Sequence, residues 1–152
     1  MPWKSGGEPS PPRLFQARLP FIRIRLTMPP ITVAATVLIT LALFFYSLGV
    51  WAEHLARFLK GWHVVAFWTG FFFDMSGTLA MELIRPGFDW VSFHTITGQI
   101  ALWLMFGHAV WATKVVRRGS EEKRRQFHRF SLFVWGVWLV PYIGGMFLGM
   151  AG

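Results

Sequence analysis

HTITGQIALWLMFGHAVWATKVV, residues 94–116, is the segment around which we expect the rest of the chain to pack. It is mostly apolar, compatible with a helix and about as long as a bilayer is thick. It contains His94 and His108, which are fourteen residues apart. Fourteen steps of about 100° return to nearly the same helix face after a rise of roughly 21 Å. A helix that spans the membrane here would carry one imidazole near each edge of the hydrocarbon, on a single face.

The composition indicates an integral membrane protein. Of the 152 residues, 54% are hydrophobic and 14% are charged, whereas about a quarter of a soluble domain is charged. The chain has no cysteine, which excludes disulfides, cysteine-ligated zinc, iron–sulfur clusters and thiolate-ligated haem. The net charge of +8 indicates loops held against anionic lipid. We expect no nucleic-acid partner, because the sequence has no pattern for stacking on bases or reading a groove.

The chain divides into two parts. Residues 1–28 are predicted to form a basic, proline-rich N-terminal tail, and residues 29–152 a four-helix transmembrane domain. Four long helices with short connections favour an all-α, integral membrane, up-down four-helix bundle. The predicted spans are about residues 31–52, 62–83, 94–116 and 128–150.

Positive charge is distributed unevenly among the predicted loops. Loops one and three contain nine Lys and Arg residues together, whereas the tail and loop two contain six. Positive charge in short loops near span ends favours the cytoplasmic side, so we predict loops one and three in the cytoplasm. The third loop is predicted at residues 114–129, and His54 lies in the first loop without an expected role.

Helical periodicity predicts three histidines at one end of the bundle. With antiparallel neighbours, His63 on span two and His128 on span four lie at one end, and His108 lies about 6 Å deeper. Ionisable groups at membrane depth tend to be functional, and neutral imidazole is a common ligand of haem iron. The pattern predicts a b-type haem held by His108, with either His63 or His128 as its partner.

Neighbouring residues complete the predicted haem site. Gly70 and Gly77 share one face of span two and would let a macrocycle approach the helix closely. Arg and Lys side chains nearby could pair with the propionates. One haem fits the sequence better than two, because no second span repeats the fourteen-residue histidine spacing. A second site at the opposite end is left open, with His94 and either Met81 or Met146.

Other uses of these residues are also left open. His63 and His128 stand at span starts, where histidine is an ordinary interfacial residue, and His94 could cap span three. A zinc or copper ion would compete with haem, since Glu53 could add a carboxylate. An unpaired carboxylate in mid-membrane is costly. Asp74 is therefore expected either in an interhelical hydrogen bond or as a buried proton site.

Four segments carry a recognisable combination of motifs: ITLALFFYSLGVWAE, GWHVVAFWTGFFFDMSGT, HTITGQIALWLMFGHAVWA and FHRFSLFVWGVWLVPYIGGMFLGM. They cover about residues 39–150, and they resemble the haem-sensing membrane protein (HsmA-type) family of small bacterial four-span proteins. The resemblance implies haem binding in the bacterial inner membrane and tolerance of excess haem or oxidative stress, in some relatives beside a haem-responsive regulator. The tail departs from the family pattern. The matching motifs contain His63, Asp74, His94, His108 and His128.

We expect the protein to sequester or sense haem b rather than to act as an enzyme. The alternative is an electron carrier of cytochrome b type that passes electrons to quinone or oxygen. A third class is a haem-free structural or transport protein that uses Asp74 as a proton site. The expected partners are haem and the lipid bilayer, with a homo-oligomer and a redox partner both left open.

Overall fold

The computed structural model describes residues 30–84 and 92–151, and four α-helices account for nearly all of them. The predicted all-α class is confirmed. The predicted tail and residues 85–91 of the second loop lie outside the described residues. The helices are α1 (Pro30–Ala56), α2 (Gly61–Ile84), α3 (Phe93–Arg118) and α4 (Glu121–Ala151).

The helices pack in ring order. In the described part of the chain, α1 contacts α2 and α4, and α3 contacts α2 and α4. The α1–α2 interface is the most extensive and the α1–α4 interface the least. The short connections at residues 57–60 and 119–120 make successive helices antiparallel, as in an up-down bundle. The ring order puts the α1–α4 interface and the α2–α3 interface on opposite sides of the molecule.

Glycines bring α1 and α2 close together. A Cβ atom added at Gly70 would lie 2.5 Å from Cδ1 of Tyr46. At Gly77 it would lie 2.6 Å from Ile39, and at Gly49 it would lie 2.6 Å from the ring of Phe67. Because interiors are closely packed, a side chain of the other helix occupies the space that a Cβ atom would fill at each glycine.

The outer surface of the bundle is apolar. Large hydrophobic side chains on the outside include Phe72, which is 67% exposed, and Trp103, which is 68% exposed. Three helices, α1, α2 and α4, are long and apolar enough to cross a membrane. This indicates a membrane protein. Helix α3 is also long enough to cross a membrane, but it is less apolar, because its first two turns contain His94, Thr95, Thr97 and Gln99.

The third loop is much shorter than predicted. Helix α3 continues to Arg118 and α4 begins at Glu121, so the prediction of a loop over residues 114–129 is wrong. The basic residues there are good helix formers. Only the pair Gly119 and Ser120 interrupts the helices, and the Ser120 hydroxyl accepts the Lys123 N–H at 3.4 Å. Glutamates in the first turn of α4 are favourable at the positive end of the helix dipole.

Helix α1 also extends further than predicted, to Ala56. His54 therefore lies in a helix rather than in a loop. The next residue, Arg57, has a φ of 48°, which is a left-handed conformation that often follows the last residue of a helix. The connection then docks on α4: the Leu59 N–H donates to the Arg124 carbonyl at 3.0 Å, and Arg124 Nε donates to the Leu59 carbonyl at 2.9 Å. These bonds fix the α1–α2 connection to the start of α4.

Candidate functional site

A buried chain of hydrogen bonds links α3, α4 and α1. His108 Nε2 lies 3.0 Å from Ser131 Oγ, and Ser131 Oγ donates to Glu53 Oε2 at 2.5 Å. Glu53 and Ser131 are fully buried, and His108 is 1% exposed. A serine hydroxyl has one proton, so Ser131 accepts from His108, and the His108 proton lies on Nε2. The Nε2 atom of His108 therefore makes its hydrogen bond within the protein.

Phenylalanine rings surround His108. The ring centroid of Phe67 is 4.5 Å from that of His108, that of Phe127 is 5.4 Å away, and that of Phe130 is 6.0 Å away. The second nitrogen, Nδ1, is buried and has no hydrogen-bond partner among the described residues. The imidazole thus lies in a close aromatic cage, and a flat macrocycle beside it would have to displace these rings.

A second polar cluster surrounds Asp74. Its Oδ2 accepts the Trp138 indole N–H at 2.8 Å and the Tyr46 hydroxyl at 3.3 Å. Tyr46 is seven residues before Glu53 on α1, and Trp138 is seven residues after Ser131 on α4. Seven residues are about two helical turns, so the two clusters are stacked along the bundle axis roughly 10 Å apart. Asp74 joins three helices by hydrogen bonds.

His63 is fully buried at the start of α2. Its Nδ1 accepts the backbone N–H of Lys60 at 3.1 Å, and its Nε2 has no partner among the described residues. Because Nδ1 is an acceptor, the proton of the neutral ring lies on Nε2. To bind a metal through Nε2, the ring would have to lose this proton or move it to Nδ1, and a proton on Nδ1 would break the hydrogen bond from Lys60. This hydrogen bond argues against His63 as an ordinary haem ligand.

His128 of α4 lies beside His54 of α1. The two ring centroids are 5.6 Å apart, with an angle of 58° between the planes. His128 Nδ1 lies 2.6 Å from the Arg125 carbonyl, which can only accept, so Nδ1 carries the proton and Nε2 has a lone pair. His54 Nδ1 is buried without a partner in the described chain. We call these two residues the histidine pair.

His94 lies at the opposite end of the bundle. A Cβ at Gly145 of α4 would lie 2.9 Å from Cε1 of His94, so the imidazole packs directly on this glycine. Met81 is 40% exposed and Met146 is 49% exposed. Both methionines are on the outside, which argues against the second haem site with His94 that the sequence left open.

The three histidines predicted to cluster do not form one metal site. Within residues 30–84 and 92–151, no group of three His, Asp or Glu side chains is placed to hold a metal ion. The reason is that each imidazole is held by a different neighbour: His63 by Lys60, His108 by Ser131, and His128 by the carbonyl one turn before it. Among the described residues, therefore, neither His63, His108 and His128 together nor a zinc site that includes Glu53 forms a metal site of three residues. The pairing of His108 with His63 or His128 on a haem stays a prediction.

Gly70 and Gly77 have a packing role in this structure. Their open faces are filled by Tyr46 and Ile39 of α1. A macrocycle on the same face of α2 would have to displace these side chains. The two glycines therefore position α1 against α2, and the haem contact predicted for them does not fit this packing.

Sequence reasoning missed Ser131, gave His54 no role, and considered Glu53 only as a possible zinc ligand. Helical spacing contained a signal for Glu53, which is seven residues after Tyr46 and so continues the buried face of α1. Ser131 follows His128 by three residues, about one turn later on α4. No comparable signal exists for the contact between His54 and His128, because it depends on how α1 and α4 cross.

The fold and the site define a four-helix bundle with an apolar exterior, buried polar clusters and a histidine pair at one end. No protein-family model, no curated protein and no solved structure matches the chain. Its function must therefore be argued from the geometry of the site.

Proposed function

We propose that the protein binds one haem b at the histidine pair, and that it sequesters or senses haem in the inner membrane of a bacterium. The observation that carries the proposal is the 5.6 Å separation of the His54 and His128 rings on two different helices. A metal–imidazole bond is about 2 Å long, so two imidazoles on opposite sides of one metal ion have ring centres roughly 6 Å apart. The observed separation is close to that value.

The hydrogen bonds of His128 suit a metal ligand. Ligating histidines usually donate their other ring N–H to a carbonyl or a carboxylate. His128 Nδ1 donates to the Arg125 carbonyl, which fixes the tautomer with a lone pair on Nε2. His54 offers a nitrogen that its own helix does not satisfy. These features favour the histidine pair over His63, whose Nε2 carries the proton. They also favour it over His108, whose unpartnered Nδ1 lies among the rings of Phe67, Phe127 and Phe130.

Two tryptophans flank the histidine pair. Trp51 lies 6.0 Å from His54 and 6.0 Å from Trp135, measured between ring centroids. Trp135 is held in place by its indole N–H, which donates to Ser47 Oγ at 3.1 Å. Sites for flat ligands are lined mainly by aromatic and apolar groups. The α1–α4 interface is also the least extensive interface of the described helices, and a ligand that enters there from the lipid would have to part α1 from α4.

Positive charge is concentrated at the same end. The nine Lys and Arg side chains of this basic end could pair with haem propionates, and they favour the cytoplasmic side in a four-span topology. A bound haem would supply a redox-active iron with a strong Soret absorption. The residues of the basic end are Arg57, Lys60, Lys114, Arg117, Arg118, Lys123, Arg124, Arg125 and Arg129.

The test is haem content and absorption of protein purified from haem-replete cells. Loss of a ligand should weaken haem binding by at least the roughly 10–100-fold that changes around metal ligands produce. His54→Ala and His128→Ala should therefore lose the Soret band of the parent. His94→Ala, at the opposite end, is the matched control and should keep it. A parental spectrum in both variants of the pair would contradict the proposal, and its loss in His63→Ala or His108→Ala alone would favour the ligands predicted from sequence.

Sequestration and electron transfer differ in their kinetics. An electron carrier should be reduced by a quinol within the time of catalytic turnover, whereas a sequestering protein needs only to hold haem. We expect slow reduction by quinol in stopped-flow measurements, together with release of haem to an apo-haem acceptor over a longer time. Rapid, saturable reduction by quinol would favour the electron carrier.

A further inference from the structure

An open groove lies on the side of the bundle opposite the histidine pair, between α2 and α3. Its volume is about 570 Å³. Its wall is mainly apolar, with Arg117 at the basic end. The groove is lined by Gly61, Val64, Val65, Trp68, Thr69, Phe72, Phe73, Thr113, Val116 and Arg117.

The polar groups along the wall are already satisfied within the protein. The Trp68 indole N–H donates to Thr113 Oγ1 at 3.0 Å, and Thr113 donates to the Ala109 carbonyl at 2.7 Å. The Thr69 hydroxyl donates to the Val65 carbonyl at 2.9 Å. The body of the groove therefore suits an apolar chain, because a polar ligand would find its hydrogen bonds unmet there.

The length of the groove matches one leaflet of a bilayer. Its lining on α2 runs from Gly61 to Phe73, which corresponds to a rise of about 18 Å. Half of the hydrocarbon core is about 15 Å thick. In a bundle that spans the bilayer, the groove would begin beside the charged end and end near the bilayer midplane, as an acyl chain does.

We propose that this groove binds an anionic phospholipid, with an acyl chain along the wall and the phosphate at Arg117. Charge complementarity supports this occupant: the groove opens at the basic end, whose nine Lys and Arg side chains attract anionic headgroups. A guanidinium forms paired hydrogen bonds with phosphate. The site contains none of the histidines, so it is independent of the haem proposal.

The experiment measures the binding of phosphatidylglycerol and phosphatidylcholine to the full-length protein in detergent, by native mass spectrometry. One basic residue near a membrane surface changes anionic lipid binding by about fivefold. Arg117→Gln should weaken phosphatidylglycerol binding by at least that factor and leave phosphatidylcholine binding nearly unchanged. Arg118→Gln, the next residue and not part of the wall, is the matched control.

A second pair of variants tests the apolar wall. Val65 is 65% exposed in the groove, and Leu79 is 55% exposed on the same helix outside it. Val65→Trp should fill the groove and reduce the binding of both lipids, whereas Leu79→Trp should not. Haem content should stay parental in all four variants. Equal losses from Arg117→Gln and Arg118→Gln, equal affinity of the parent for the two lipids, or a change of oligomeric state in Val65→Trp would each overturn the proposal.

Discussion

At Gly70, the missing side chain sets the distance between two helices. A Cβ there would lie 2.5 Å from the Tyr46 ring, which is fully buried and has no room to move away. Overpacking of this kind typically costs about 1–3 kcal/mol. We expect Gly70→Ala to lower the free energy of unfolding by that amount, measured by chemical denaturation in detergent micelles.

Gly136 is the matched control for that substitution. It is exposed on α4, and an added Cβ would meet nothing within 4 Å. Alanine is favoured over glycine in a helix by roughly 0.5–1 kcal/mol, so Gly136→Ala should be neutral or stabilising. Similar destabilisation by both substitutions would mean that the effect is not caused by contact with Tyr46.

The residue types at the site could be predicted from the sequence, but their partners could not. The sequence identifies Asp74 and His108 as polar groups that need a partner in an apolar helix. It does not fix which nitrogen of an imidazole is engaged, since this depends on the side-chain conformation and on the loop that places the Lys60 N–H at His63. Assigning each imidazole to its neighbours therefore required the structure.

The sequence predicts the four helices, but it does not predict all of their ends. The four helices follow from the lengths of the apolar runs, yet hydropathy alone ends α1 and begins α4 at the wrong residues. Charged residues lower the hydropathy of residues 114–129 but do not prevent a helix from forming. The pattern of Ser120 followed by two glutamates is a helix-start signal, and it could have located the start of α4.

One serine joins three helices. Ser131 on α4 links His108 on α3 to Glu53 on α1, and all three side chains are buried. Loss of the hydroxyl would leave two more buried polar atoms without a partner, at about 1–3 kcal/mol each. We expect Ser131→Ala to lower the free energy of unfolding by about 1–3 kcal/mol or more, measured by denaturation in micelles.

Ser76 provides the comparison for Ser131. Among the described residues, its hydroxyl bonds only the Phe72 carbonyl of its own helix, at 2.7 Å, and helix backbone carbonyls are already bonded. Ser76→Ala should therefore change stability little. Equal effects of the two substitutions would show that the buried chain of hydrogen bonds contributes no special stability.

At the scale of the whole molecule, contacts at both ends of α3 fix its course along the bundle. Its start contacts the far end of α4, where His94 packs on Gly145. Its end leads through two residues into Glu121, beside the α1–α2 connection that Arg124 holds. Helix α3 therefore runs the full length of the bundle. Both of its histidines contact α4, His94 at Gly145 and His108 at Ser131, as polar residues of membrane helices commonly contact neighbouring helices.

The proposed four-span topology can be tested in a chain that has no cysteine of its own. Ser120 is exposed between α3 and α4, and Phe93 is 80% exposed at the start of α3. If α3 crosses the bilayer with the basic end in the cytoplasm, a membrane-impermeant maleimide should label Phe93→Cys in intact bacterial spheroplasts. It should label Ser120→Cys only after lysis. Arg57→Cys, at the same end as Ser120, is the control and should behave like Ser120→Cys. Labelling of both Phe93→Cys and Ser120→Cys from one side would mean that α3 lies along the membrane surface instead of crossing it.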